Sequence, residues 1–161
     1  MAGRMYTISF AAVSVTAQQD LFSFKALDDR PVTIHACYIS NVGIAADAGD
    51  AQEELLRVII IRGNTTIGSG GSNPTARPLA VLDTAFGPTT NVRTNDTTII
   101  SGGTGVILHD DGFNNRVGWV FIPTPEMRIR SNEGDGFVAI QLKSTPTDAI
   151  LLSGTLYVEE N

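Results

Sequence analysis

The sequence predicts an all-β protein: an antiparallel β-sandwich with jelly-roll connections, long loops and at most one short helical turn. Three observations lead there. Runs of β-branched and aromatic residues, such as Val58-Ile59-Ile60-Ile61 and Phe137-Val138-Ala139-Ile140, recur at strand length. Loops of Gly, Asn, Asp, Thr and Pro separate them evenly enough to imply about eight to ten strands. The only helical signal is Asp50 with Glu53 three residues on, a capping pair within residues 47–56 that runs directly into a strand. At 161 residues the chain is read as one domain, 1–161, long enough to bury a core.

The first predicted strand, 5–15, alternates, with Tyr6, Ile8 and Phe10 on one face and Thr7 and Ser9 on the other. Residues 21–24 form a second. The Asp28-Asp29-Arg30-Pro31 turn then feeds a long strand, 31–42, whose Val32, Ile34, Ala36 and Tyr38 are expected on one face. Residues 54–62 are nearly continuous in Leu, Val and Ile, as in a strand covered on both sides. A long Gly, Ser, Thr and Asn stretch, 63–78, follows, and a loop of that length in a compact domain usually carries function. The short apolar piece Leu79-Ala80-Val81-Leu82 leads into a second polar stretch, 84–98. Further strands are expected at 104–109, 116–122, 136–143 and 150–159. Between them Asp110-Asp111-Gly112, Pro123-Thr124-Pro125-Glu126, Asn132-Glu133-Gly134-Asp135-Gly136 and Thr145-Pro146-Thr147-Asp148 read as turns.

Composition narrows the partners. The net charge is −6, the pI about 4.7, and no stripe of Lys and Arg is present. Nucleic-acid binding, which needs clustered cations to displace counterions, is not expected. No apolar run approaches the roughly 20 residues needed to cross a bilayer, and the first residues lack the apolar centre of a signal peptide. Charged residues make up 17% against a usual share of about 25%, as expected of a surface partly covered by partners. The single Cys37 lies in a strand and reads as a buried, inert thiol. The sequons at Asn64 and Asn95 read as chance occurrences.

No catalytic set is apparent, and no cofactor is expected. His35 and His109 lack the paired spacing and carboxylate of a cupin-type metal site, and His109 reads as a strand-end residue bonded to a loop. The acidic turns around Asp110 and Glu133 resemble loose calcium loops without the ligand alternation of a true one, so plain turn formation is the reading taken. Ser69-Gly70-Gly71-Ser72 is neither a nucleophile elbow nor a phosphate loop. Trp119 is expected in the core or an interface.

Five strings carry a resemblance across nearly the whole chain. They are Met5-Tyr6-Thr7-Ile8-Ser9-Phe10, Leu56-Arg57-Val58-Ile59-Ile60-Ile61-Arg62-Gly63-Asn64-Thr65-Thr66, Gly68-Ser69-Gly70-Gly71-Ser72, Asn114-Asn115-Arg116-Val117-Gly118-Trp119, and Ser153-Gly154-Thr155-Leu156-Tyr157-Val158-Glu159-Glu160. In these the chain resembles small virion proteins encoded by tailed bacteriophages. The resemblance implies a non-enzymatic jelly-roll cement or decoration subunit, made in the host cytoplasm, sitting on the capsid surface against the major capsid protein or another virion protein, as a homotrimer. The alternative is a carbohydrate-binding β-sandwich module of a phage head or tail fibre. Scarcity of charge in the two terminal strands places partner contacts at the termini and in the 63–78 loop, with Arg62, Asn64, Thr65, Asn73 and Arg77 as the contact candidates. Deleting 68–72 is expected to weaken attachment and leave the fold intact.

Overall fold

The computed structural model describes residues 3–44 and 53–161. Eleven strands run through them: β1 (Arg4–Val15), β2 (Gln19–Phe24), β3 (Val32–Ile44), β4 (Leu55–Asn64), β5 (Arg77–Pro78), β6 (Val92–Asp96), β7 (Val106–Asn114), β8 (Trp119–Phe121), β9 (Arg130–Ser131), β10 (Phe137–Leu142) and β11 (Ile150–Glu160). They form two antiparallel sheets. One has the order β5-β1-β11-β3-β8, with β9 also on β3; the other has the order β6-β2-β10-β4-β7. The sandwich expected from sequence is present.

Its winding is equally specific. β1 pairs with β11, β2 with β10, β3 with β8 and β4 with β7. The first long strand therefore lies beside the last, the second beside the next to last, and so on inward, as when a long hairpin is wrapped around a barrel. That is the jelly roll. β11 sits between β1 and β3, and its residues alternate strictly between buried and half-buried. β11 is interior to its sheet, whereas β5 pairs with β1 only at Tyr6 and Thr7, so most of β1 has a strand neighbour on one side only.

The core lies between the sheets. Tyr6 and Ile8 from β1, Ile34 and Ile39 from β3, and Ile60 and Ile140 from β4 and β10 are all buried. Each such side chain contributes roughly 1.5–3 kcal/mol by leaving water. Phe10 packs against Phe22 across the sandwich with ring centres 5.1 Å apart. On β3 the inward set is Val32, Ile34, Cys37 and Ile39. The register slips between Tyr157 and Val158, which face Ala36 and Ile34, so β3 carries an extra residue at His35. A bulge moves every later side chain to the other face. Tyr38 therefore points outward and Cys37 inward, the reverse of the expected phase.

Other elements also depart from the sequence reading. Asp110-Asp111-Gly112, expected as a turn, lies inside β7. Arg57 on the neighbouring β4 donates from Nε to Asp110 Oδ1 at 2.8 Å, a cross-strand pair that an edge strand accommodates. His109 is accordingly within β7 and not at its end, with its ring 4.8 Å from that of Phe121. The polar stretch 84–98 contains β6. Among the described residues two single 3-10 turns occur, Pro125–Met127 and Glu133–Asp135, each in a stretch expected as a turn; Asn132 and Asp135 cap the second reciprocally. The helical turn expected within 47–56 falls largely on residues 47–52, which lie outside the described residues.

Candidate interaction surfaces

The 63–78 segment is not a free loop. Gly63, the last residue but one of β4, has φ +105°, and a side chain there would collide with the Thr104 carbonyl. The chain then crosses the outer face of the second sheet and pairs with residues 94–101. Thr66 and Ser101 exchange backbone hydrogen bonds (2.8 and 3.1 Å), as do Ser69 and Thr98 (both 2.9 Å) and Ser72 and Thr94 (both 2.9 Å). At Gly71 the backbone lies so close to Thr94 and Asn95 that a Cβ has no room. We refer to these two paired limbs as the strap.

Beneath the strap lies a layer that sequence reasoning missed. Ile100, Phe137 and Ala139 form a small second apolar cluster, with Ile61 against it. This explains why β4 is apolar on both faces at its centre. Beside the cluster, Gln19, Asp20, Ser23, Asp96 and Gln141 are buried polar residues. Asp20 Oδ2 accepts from the Ile100 amide at 2.7 Å. Asp96 accepts from Arg93 Nη2 at 2.7 Å and from the Gly71 amide at 2.9 Å. Gln19 donates to Asn95 Oδ1 at 3.0 Å. Asp20 Oδ1, Ser23 Oγ and Gln141 Oε1 have no protein partner. Burial pushes the Asp20 carboxyl up to about 6, against the opposing pull of the Ile100 amide and the Gln141 side chain. The only signal in the sequence was an acidic residue at the head of an apolar strand.

The five contact candidates do not converge. Arg62 donates to the Arg130 carbonyl at 3.3 Å and lies 3.9 Å from Asp135. Asn64 donates to the Gly102 carbonyl at 3.0 Å, and the amide of exposed Thr65 bonds Ser101. These three stand together where β4 enters the strap. Asn73 is at the strap's other end, its amide group 2.6 Å from the Val92 carbonyl and 3.2 Å from that of Thr89. Arg77 is in β5, opposite Thr7 of β1. The five therefore fall in three places, and most of their polar groups already have partners within the chain.

The apolar piece after β5 carries the two most exposed large apolar side chains among the described residues. Leu79 is 56% exposed, Val81 92% and Leu82 97%. Its base is held firmly. The Leu79 amide bonds the Met5 carbonyl at 2.9 Å, Tyr6 Oη donates to the Thr84 carbonyl at 2.9 Å, and Arg4 donates to Thr84 Oγ1 at 2.6 Å. A braced loop that holds large apolar side chains in water is a candidate contact surface.

Two further features lie elsewhere on the surface. A groove of about 440 Å3 runs between the strap and β1 where its register with β11 shifts between Phe10 and Val13, lined by Ser9, Phe10, Ser14, Ser72, Thr94 and Thr97 among others. On the outer face of the first sheet, Tyr38 and Tyr157 meet edge to face at 6.0 Å. His35 Nε2 lies 2.6 Å from Glu159 Oε2, and His109 Nε2 lies 3.7 Å from Asp111 Oδ2. These are isolated pairs, and among the described residues no three metal-ligating side chains converge. Trp119 is buried and donates to Asp111 Oδ2 at 3.1 Å, which with the Gly112 amide holds that carboxyl below the usual range. No helix among the described residues is long and apolar enough to cross a membrane. No known protein family matches the chain, and no curated protein or solved structure is significantly similar to it.

Proposed function

We propose that the protein is a non-enzymatic virion subunit of a tailed bacteriophage, a cement or decoration protein that binds the assembled capsid shell. The observation that carries this reading is the braced apolar finger, Leu79, Val81 and Leu82, standing on a rigid jelly roll. A cement protein needs a stiff body and a contact that loses water only against its partner. The finger gives each copy a few kcal/mol of buried apolar area at most. Repetition over a symmetric shell then multiplies a modest contact into lasting attachment. The sequence strings described above point the same way.

The test mixes purified protein with shells that lack it. Co-sedimentation and a rise in the shell's melting temperature are expected, and both should drop when Leu82 and Val81 are replaced by Asp. Wild-type protein that neither co-sediments nor stabilises the shell would sink the reading.

One observation favours the alternative, a glycan-binding module of a head or tail fibre. The Tyr38–Tyr157 pair on an open sheet face is a possible stacking platform. Glycan-array binding abolished by Tyr38→Ala would move the assignment there.

A further inference from the structure

We infer that the groove between the strap and β1 is a binding site for a short neutral saccharide. It shares no residue with the finger or with the Tyr38–Tyr157 pair, and the inference does not depend on the capsid reading.

Local departures from regular strand open the groove. β1 loses register with β11 between Phe10 and Val13, where Ala12 takes φ +50°. On the opposite wall Gly70 and Gly71 carry no side chain. A Cβ at Gly70 would collide with Thr97 Oγ1, and one at Gly71 with the Thr94 carbonyl. That wall is pinned: Ser72 and Thr94 exchange backbone hydrogen bonds, and the Gly71 amide bonds Asp96 at 2.9 Å. The volume enclosed, about 440 Å3, lies within the roughly 300–1,000 Å3 of ordinary small-molecule sites. A site formed before its ligand arrives has less ordering to do on binding.

Two buried amides supply its fixed polar groups. Gln19 and Asn95 both line the groove and are only 3% and 8% exposed. Gln19 donates to Asn95 Oδ1 at 3.0 Å, which leaves the Gln19 carbonyl and the Asn95 amino group without a partner in the chain. Neither is sealed from water, so a molecule in the groove can reach them. Asn95 has φ +57°, a left-handed conformation that Asn accepts more readily than most residues. Exposed hydroxyls of Ser14, Ser72 and Thr97 stand on the walls above.

This chemistry selects the class of ligand. None of the described residues that line the groove is charged, so neither a phosphate nor a cation finds a counter-charge there. A wholly apolar ligand would strip water from the amides and hydroxyls and return no hydrogen bond. A pyranose ring meets both demands. Its hydroxyls donate and accept, and its C–H face packs on apolar surface, here Phe10, Val13 and Pro74.

NMR of isotope-labelled protein tests this with maltose, lactose and cellobiose as neutral probes and inorganic phosphate as the charged one. At least one disaccharide at about 20 mM is expected to shift the side-chain amide signals of Gln19 and Asn95, with a dissociation constant on the order of 1 mM. Asn95→Gly keeps the left-handed backbone and removes the amide, and Ser14→Trp fills the groove from an exposed position on β1. Each should weaken binding at least about tenfold, and Tyr38→Ala should leave it unchanged. Should one groove variant melt far below wild type, the other decides. Signals that stay in place with every disaccharide overturn the proposal, as does a response to phosphate. Saccharide binding that survives in the folded groove variants, or that is lost in Tyr38→Ala, overturns it equally.

Discussion

The carboxylate of Asp20 on β2 accepts a hydrogen bond from the backbone amide of Ile100 at 2.7 Å, tying the outer face of the sandwich to the returning limb of the strap. Its other oxygen, Oδ1, is buried without a protein partner, near Ser23 Oγ and Gln141 Oε1 in the same layer. A carboxylate placed this way is costly when ionised, and burial raises its pKa from 3.8 to about 6.

The first prediction follows from that shift. The folded chain holds the Asp20 proton more tightly than the unfolded chain does. Its contribution to stability is fully present below pH 4, declines as pH rises through about 6, and is absent above that. The span is roughly 3 kcal/mol at most. Asp20→Asn keeps the acceptor for Ile100 and supplies an N–H where Oδ1 stood. Melting curves from pH 4.5 to 8 should show the variant gaining on wild type as pH rises. Parallel curves for the two proteins would refute the assignment.

The strap belongs to the fold, which changes what its deletion would report. Removing 68–72 strips the Gly71 amide from Asp96 and breaks the Ser69–Thr98 and Ser72–Thr94 pairs. A loss of stability is expected, not the intact fold anticipated from sequence. A smaller change makes the same point: Gly71→Ala forces a methyl group into the Thr94 and Asn95 backbone and should cost about 1–3 kcal/mol. Gly134→Ala, with nothing within 4 Å of the added carbon, should be close to neutral. Urea denaturation of the two variants decides it, and equal midpoints would mean that the strap is loosely held.

Cys37 provides an internal reporter of unfolding. It is fully buried in the core, and burial pushes its thiol well above the usual range. A thiol reagent at pH 8 should leave the folded protein unlabelled for hours and modify one site promptly in denaturant. Rapid labelling of the native protein would place the thiol nearer the surface than β3 allows.

What was legible in the sequence was what burial dictates. β1, β2, β4, β10 and β11 each bury apolar side chains against the core, and their runs or alternation identified them. β6 was missed because Arg93 and the Gly71 amide of the strap bond Asp96 while Gln19 of β2 bonds Asn95, so a largely buried strand has the composition of a loop. The phase of β3 was inverted by a single bulged residue, which leaves no compositional mark. The contact candidates Arg62, Asn64 and Asn73 were chosen for polarity in a long loop, yet in each the side chain faces the chain's own carbonyls. Polarity alone does not distinguish a group waiting for a partner from one that already has it.

The finger is where exposure and stability should separate. Val81 and Leu82 are almost entirely in water, so replacing both with Ser removes no core packing, and unfolding free energy should move by no more than about 0.5 kcal/mol. Tyr6→Phe is the contrasting change. It removes the hydroxyl that holds the Thr84 carbonyl at 2.9 Å while keeping the ring against Phe86, and should cost about 1 kcal/mol by loosening the finger's base. If the finger is the shell contact, the Ser double variant loses shell binding at unchanged melting temperature, whereas Tyr6→Phe loses some of each. A double variant that melts far below wild type would show that the finger packs against the body, and its use as a contact would have to be abandoned.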